Sequence, residues 1–219
     1  MAVEQDARRT VLVTGASRGL GRALCCELTK RGDRVIATSR NGSDATIALD
    51  VGDSRSVARA VDAVRARYGQ VDILINNAAV DFDLDQVASE ADIPRVRDAF
   101  EVNLFGAWRV TQAVLPLLGA GSAVVMISSE LASSTRLSAD APGYRLSKLA
   151  LNGLTRMFAA ELASRRIDVR AVSPGWTATE MGGPGGRPIS DGVTSIMAAV
   201  NAPAGTTGTY TQDGVSLPW

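Results

Sequence analysis

Val11-Leu12-Val13-Thr14-Gly15-Ala16-Ser17-Arg18-Gly19-Leu20-Gly21 is the stretch on which the fold turns. Its first three residues form a compact apolar run, the mark of a buried strand. They lead at once into a turn with glycines at 15, 19 and 21. Glycine allows a tight turn and close backbone approach, and the N-terminus of a following helix offers unpaired N–H groups to a pyrophosphate. Arg22 to Arg31 carries helix formers, Gly32-Asp33 ends the helix, and Arg34-Val35-Ile36-Ala37-Thr38 reads as the next strand. A glycine-rich loop alone is weak evidence. Its place between a buried strand and a helix favours dinucleotide binding.

The alternation continues outward. Thr46-Ile47-Ala48-Leu49 predicts a third strand, and Val57, Ala60, Val61, Val64 and Tyr68 keep the one-face spacing of an amphipathic helix. Val71–Ile75 predicts a strand, and Phe100 to Leu115 a long helix closed by Pro116 and Gly119. Ala123–Ile127 reads as strand, Tyr144–Ser164 as helix, Ile167–Val172 as strand, Asp191–Val200 as a short helix, and Thr209-Tyr210-Thr211 as a last strand before Asp213-Gly214. Strand and helix in strict alternation mean a parallel sheet with helices on both faces, an α/β fold.

Composition removes whole classes of chemistry. The 219 residues include no histidine, which excludes Ser-His-Asp and Cys-His hydrolases and any histidine-ligated metal site. Lys+Arg and Asp+Glu both number 23, so no excess of charge attracts nucleic acid. The two cysteines, Cys25 and Cys26, are neighbours and cannot build a disulfide framework, which suits a reducing cytoplasm. The Met1–Thr10 segment lacks the apolar stretch of a signal peptide, and no apolar run approaches the ~18 residues that span a bilayer.

Six motifs in order resemble the short-chain dehydrogenase/reductase family. They are Thr14-Gly15-x3-Gly19-x-Gly21, Asp50-Val51, Asn76-Asn77-Ala78-Ala79 with alanine in place of a final glycine, Asn103, Tyr144-x2-Ser147-Lys148, and Pro174-Gly175-Trp176-Thr177-Ala178-Thr179. The resemblance covers Val11 to Trp219. It implies one domain over residues 1–219, a Rossmann-like doubly wound sheet of about seven strands in the order 3-2-1-4-5-6-7, and a substrate loop near 180–190. It further implies a nicotinamide cofactor held by Gly15, Ser17, Arg18, Gly19, Leu20, Gly21, Arg40, Asp50, Val51, Asn76, Asn77, Ala78, Tyr144, Lys148, Pro174, Gly175, Trp176, Thr177 and Thr179.

Charge selects among the cofactors. An NAD site needs a carboxylate near the end of the second strand, whereas a 2′-phosphate wants arginine. Thr38-Ser39-Arg40 carries no acid, and Arg18 is expected to converge with Arg40 on one phosphate, so NADP(H) is preferred over NAD(H). Asp44 remains an alternative ribose ligand.

Tyr144 and Lys148 are four apart and share one helix face. The resemblance implies proton transfer by Tyr144. A nearby ammonium and an oxidised nicotinamide would both favour the phenolate, and lowering the pKa by about 3 units needs roughly 4 kcal/mol, within reach of two cations in a partly dry site. Ser129, 15 positions before Tyr144, is the expected hydroxyl that holds the carbonyl oxygen, with Ser128 as the alternative and Ser133 or Ser134 less favoured. Asn103 would organise a water next to Lys148. The implied reaction is hydride transfer between the nicotinamide and a carbonyl or alcohol.

Four further expectations follow. Glu180 to Pro188, with four glycines and two prolines, is expected to be disordered or open without ligand. With only Arg187 as a nearby cation, the substrate is expected to be a small, neutral, moderately hydrophobic ketone or aldehyde. Asp81-Phe82-Asp83-Leu84-Asp85 has calcium-loop spacing but lacks the glycine and distal glutamate, so it reads as a solvated acidic loop and no metal is expected. The helices Asp98–Leu118 and Tyr144–Ser164 resemble a pair that assembles as a four-helix bundle, which implies a homodimer or homotetramer. Two other readings remain open: non-redox dehydration or cyclisation at the same site, and an NADP(H)-binding regulator.

Overall fold

The structure is a computed structural model and describes residues 8–43 and 46–219. Eight strands form one sheet: β1 (Thr10–Val13), β2 (Arg34–Ser39), β3 (Ile47–Ala48), β4 (Val71–Asn76), β5 (Leu118–Ile127), β6 (Asp168–Ser173), β7 (Thr209–Gln212) and β8 (Val215–Ser216). The spatial order is β3-β2-β1-β4-β5-β6-β7-β8. Pairings through β7 are parallel, and β8 returns antiparallel beyond the Asp213-Gly214 turn, adding one edge strand to the seven expected.

Side-chain alternation along the strands divides the core into two layers. In β1, Leu12 faces one layer while Val11 and Val13 face the other; in β5, Val124 and Met126 face the first while Val125 and Ile127 face the second. The first layer is closed by α2 (Ser54–Tyr68), α4 (Ala107–Val114) and α5 (Pro142–Leu162), the second by α1 (Gly19–Lys30) and α6 (Ile189–Val200). Because β1 sits between β2 and β4, the chain reverses direction across the sheet there, and the crevice at the strands' carboxyl ends is where such folds bind ligands.

The helix expected from Phe100 to Leu115 is interrupted near its start. It starts earlier, as α3 (Ile93–Phe100), passes through a π-helical segment (Glu101–Gly106), resumes as α4, and ends in a 3₁₀ turn at Leu115–Leu117. Wide i→i+5 turns inside α-helices concentrate at functional sites. Asn103 lies within this one.

Candidate active site

A cleft of about 410 Å³ opens at the carboxyl ends of the central strands. The β1–α1 turn forms one wall. Gly15 has φ +66°, and a side chain at Gly21 would stand 2.3 Å from the Gly15 carbonyl oxygen, so both positions require glycine. Helix α1 follows Arg18, which makes no side-chain cap, and its first turn carries no acid. No acid of that turn therefore competes for its N–H groups, and the turn fits a pyrophosphate.

At the far end, Arg40, Leu49, Asp50 and Val51 line the cleft. The Asp50 carboxylate accepts the Gly52 N–H at 2.9 Å, and Arg40 stands exposed after β2. Arg18 does not join Arg40. Its guanidinium instead pairs with Glu180, at the start of the loop after Thr179. Asp44 lies outside the described residues.

Asn76 and Asn77 serve the frame. The buried Asn76 amide donates to Thr111 Oγ1 at 2.9 Å and is turned into the core. Asn77 Nδ2 donates to the carbonyls of Thr14 and Gly15 at 2.8 and 3.1 Å, clamping the glycine turn to β4, while Ala78 lines the cleft with Asn77. Pro174 and Thr179 also line the cleft. Thr177 is buried with its hydroxyl on the Gly175 carbonyl at 3.0 Å, and Trp176 is exposed, its indole N–H donating to Gly182 O at 2.7 Å.

Tyr144 and Lys148, on the first turns of α5, face the cleft floor. The Lys148 ammonium is 2% exposed, donates to Ile127 O at 2.7 Å and lies 6.0 Å from the centre of the Tyr144 ring. Burial lowers Lys148 to about 8. The expected depression of Tyr144 does not come from the protein's own groups. Burial pushes the phenol up, Asp81 adds to the rise, and a hydrogen bond with Ser129 draws it partly back.

The two serines point apart, as alternation along a strand demands. Ser128 is buried and donates to Asn152 Oδ1 at 2.7 Å, whereas Ser129 reaches the Tyr144 phenol. Ser133 bonds Thr135 at 2.8 Å and Ser134 meets the Trp219 carbonyl, both away from the phenol. Asn103 holds the Val80 backbone in both directions, accepting its N–H at 2.8 Å and donating to its carbonyl at 2.9 Å, and donates to Ser147 Oγ at 3.0 Å. One amide thus ties the π-helical segment to both the β4 loop and α5.

Two expectations need correction. The Glu180–Pro188 loop is not left loose. Ala178 N–H bonds Arg187 O at 2.9 Å, Arg187 N–H bonds Trp176 O at 2.8 Å, and the Arg187 guanidinium grips Asp213 and the Pro174 carbonyl. Backbone and charge do here what apolar anchors would do elsewhere. The acidic run is not uniformly solvated either: Asp83 is fully buried, while Asp85 faces Arg95 at 3.4 Å. Sequence reading also missed Tyr210, whose hydroxyl donates to the Ser129 carbonyl across 81 positions, a separation that leaves no local signal.

The fold and this constellation define a nucleotide-dependent oxidoreductase architecture. The family model described as short chain dehydrogenase matches residues 9–187, and the chain belongs to that family. It is 34% identical over 185 residues to the Escherichia coli 3-oxoacyl-(acyl-carrier-protein) reductase FabG, covering 79% of this chain and 75% of that one. It is 37% identical over 190 residues to human L-xylulose reductase, with 80% and 75% covered. Among solved structures, a putative short-chain dehydrogenase/reductase from Burkholderia multivorans with bound NADP superposes with TM-score 0.86 at 30% identity, covering 97% of this chain and 100% of that one. NADPH-bound carbonyl reductase from chicken fatty liver gives TM-score 0.86 at 25% identity, with 97% and 99% covered.

Proposed function

We propose that the protein is an NADP(H)-dependent carbonyl reductase acting on a small, neutral, moderately hydrophobic ketone or aldehyde. The observation that carries this reading is the cleft that Tyr144 and Lys148 line together with Arg40, with Ser129 hydrogen-bonded to the Tyr144 phenol. The α1 N-terminus would hold the pyrophosphate, Arg40 the 2′-phosphate and Lys148 the nicotinamide ribose. The bound cofactor supplies the hydride. Ser129 holds the carbonyl oxygen, and Tyr144 gives its proton to that oxygen as negative charge develops there. A phenol pushed up by burial is protonated at neutral pH, as a donor must be.

Two observations support a neutral substrate. Arg187 is engaged by Asp213, and Asp81 adds negative charge near the phenol, a poor setting for a phosphate or acyl-carrier group. Relatives named L-xylulose reductase and carbonyl reductase act, by those names, on L-xylulose and on carbonyl compounds. The free thiols Cys25 and Cys26 fit a cytoplasmic setting, and we propose a homodimer or homotetramer.

The test is loss of reduced-nicotinamide absorbance with a panel of carbonyl compounds. Tyr144→Phe should cut kcat by about 10²–10⁴-fold and leave NADPH affinity intact. Residual activity within about tenfold would place the acid elsewhere. A CoA thioester ketone turned over far faster than every small carbonyl would overturn the substrate assignment, and absence of oxidation across the panel would reject the reductase reading.

A further inference from the structure

We propose that Asp83 is the positioning residue of the acid–base helix: its buried carboxylate, reaching across from the loop after β4, seats the N-terminus of α5 and thereby sets where the Tyr144 phenol stands. The inference rests on the reading of Tyr144 as the proton donor.

Every helix begins with backbone donors that lack intrahelical partners. In α5 the accounting closes on one side chain. The residue before the helix, Ala141, has φ +50° and no oxygen with which to cap. Pro142 has no N–H to satisfy. The Arg145 N–H bonds Ala141 O at 2.9 Å. That leaves the N–H groups of Gly143 and Tyr144, and Asp83 accepts both, Oδ2 from Gly143 and Oδ1 from Tyr144 at 3.1 Å.

The contact is built for this pair. Asp83 is 0% exposed. A methyl group at Gly143 would stand 2.8 Å from Asp83 Oδ2 and 3.0 Å from the Val96 Cα, so glycine is what lets the carboxylate approach. The loop is also zipped to the approach of α5: Ala88 N–H bonds Ala139 O at 2.9 Å and Ala141 N–H bonds Gln86 O at 3.0 Å. Asn103 pins the same loop at Val80. Asp83 therefore transmits the position of the β4 end to the backbone of Tyr144 itself. A carboxylate at a helix N-terminus also meets the positive end of the helix dipole.

The test uses the full chain, NADPH and a carbonyl substrate that the wild type reduces. Asp83→Asn keeps one acceptor oxygen and turns an NH₂ group toward the other N–H. It should lower kcat about 10- to 100-fold, because small misplacement of a reacting group is costly, while the KM for NADPH stays within about twofold. Asp83→Ser retains an acceptor and should fall between the two; it serves alone if the asparagine variant fails to fold. A cap with only a structural role would lower Tm and leave the kcat of the folded enzyme at the wild-type value, and that result in either variant overturns the proposal. Loss of kcat and NADPH affinity together, in proportion to unfolded protein, overturns it as well. Turnover lost in Tyr144→Phe but kept in the Asp83 variants removes the positioning role alone; turnover that survives Tyr144→Phe removes the acid assignment and this inference with it.

Discussion

At the residue scale the proposed preference for NADP(H) rests on Arg40, because Arg18 is paired with Glu180. A lost charge-assisted contact costs about 1.5–3 kcal/mol, which is roughly a 10- to 150-fold change in affinity. Arg40→Asp should weaken NADPH binding on that scale and narrow or invert the preference over NADH, as read by titration of both cofactors; an unchanged ratio would move the 2′-phosphate contact elsewhere. Arg40 was legible because it stands at a fixed place after a strand, whereas the Arg18–Glu180 pair joins residues 162 apart and could not be read locally. Lys148 adds a pH dependence. Its ammonium falls from the usual lysine value of 10.5 to about 8. Between those values the unfolded chain holds the proton and the folded chain does not, so this group makes stability rise with pH across the window, by on the order of 3 kcal/mol relative to its contribution below pH 8. Activity is expected to move the other way, since the ammonium proposed to hold the ribose is lost: kcat/KM for carbonyl reduction should decline above about pH 8. A flat profile from pH 7 to about 9.5 would show that Lys148 keeps its proton.

Elements were legible where their pattern is local. The buried strands, the glycine turn and the tyrosine helix follow from short apolar runs and helical spacing, and each occupies the expected segment within a few residues. Three features escaped because their causes are distant in sequence. The π-helical turn shares the apolar spacing of the α-helix around it, so nothing in Phe100 to Leu115 announces a widened turn at Asn103. Asp83 sits in a run whose alternating acids suggest solvent, and only the docking of α5 buries it. The glycine-rich loop looked loose because its anchors are backbone bonds and an Arg187–Asp213 pair, neither of which composition reveals. That pair supplies the prediction at this scale. Arg187→Ala removes the grip on both Asp213 and the Pro174 carbonyl. Segments held by few contacts open locally at low free-energy cost. Cleavage between residues 180 and 186 in limited proteolysis should therefore quicken about tenfold or more, with a rise in the carbonyl KM and little change in NADPH affinity. Equal cleavage rates would mean the backbone pairing alone holds the loop.

At the scale of the whole molecule, α5 carries an outward apolar stripe whose chemistry asks for cover. On α5, Leu146 and Met157 are 43% and 63% exposed, and they lie eleven residues apart, three helical turns, so they share one outward stripe. Between them on that stripe stand Ala150 and Gly153, too small to keep another helix at a distance. Phe105, 44% exposed, adds a ring from the π-helical segment that packs against α5. Fully burying a large apolar side chain is worth about 1.5–3 kcal/mol, and a two-fold axis would count each one twice. Partial exposure reduces that return, yet the sum exceeds what scattered surface residues offer. Under the proposed assembly, a second copy of the chain presents the matching stripe. Sedimentation at micromolar concentration should accordingly give a dimer or tetramer, and Met157→Glu combined with Leu146→Glu should shift it toward monomer by placing like charges across the axis. The candidate site residues lie on the inner side of the same helix: buried Lys148 stands about half a turn round from exposed Leu146, and Tyr144 one turn before Lys148. Dissociation should therefore lower Tm and leave kcat of the remaining folded protein within about threefold if the site is complete in one chain. A wild-type monomer at those concentrations would remove the assembly from this account, and its exposed stripe would then be free surface.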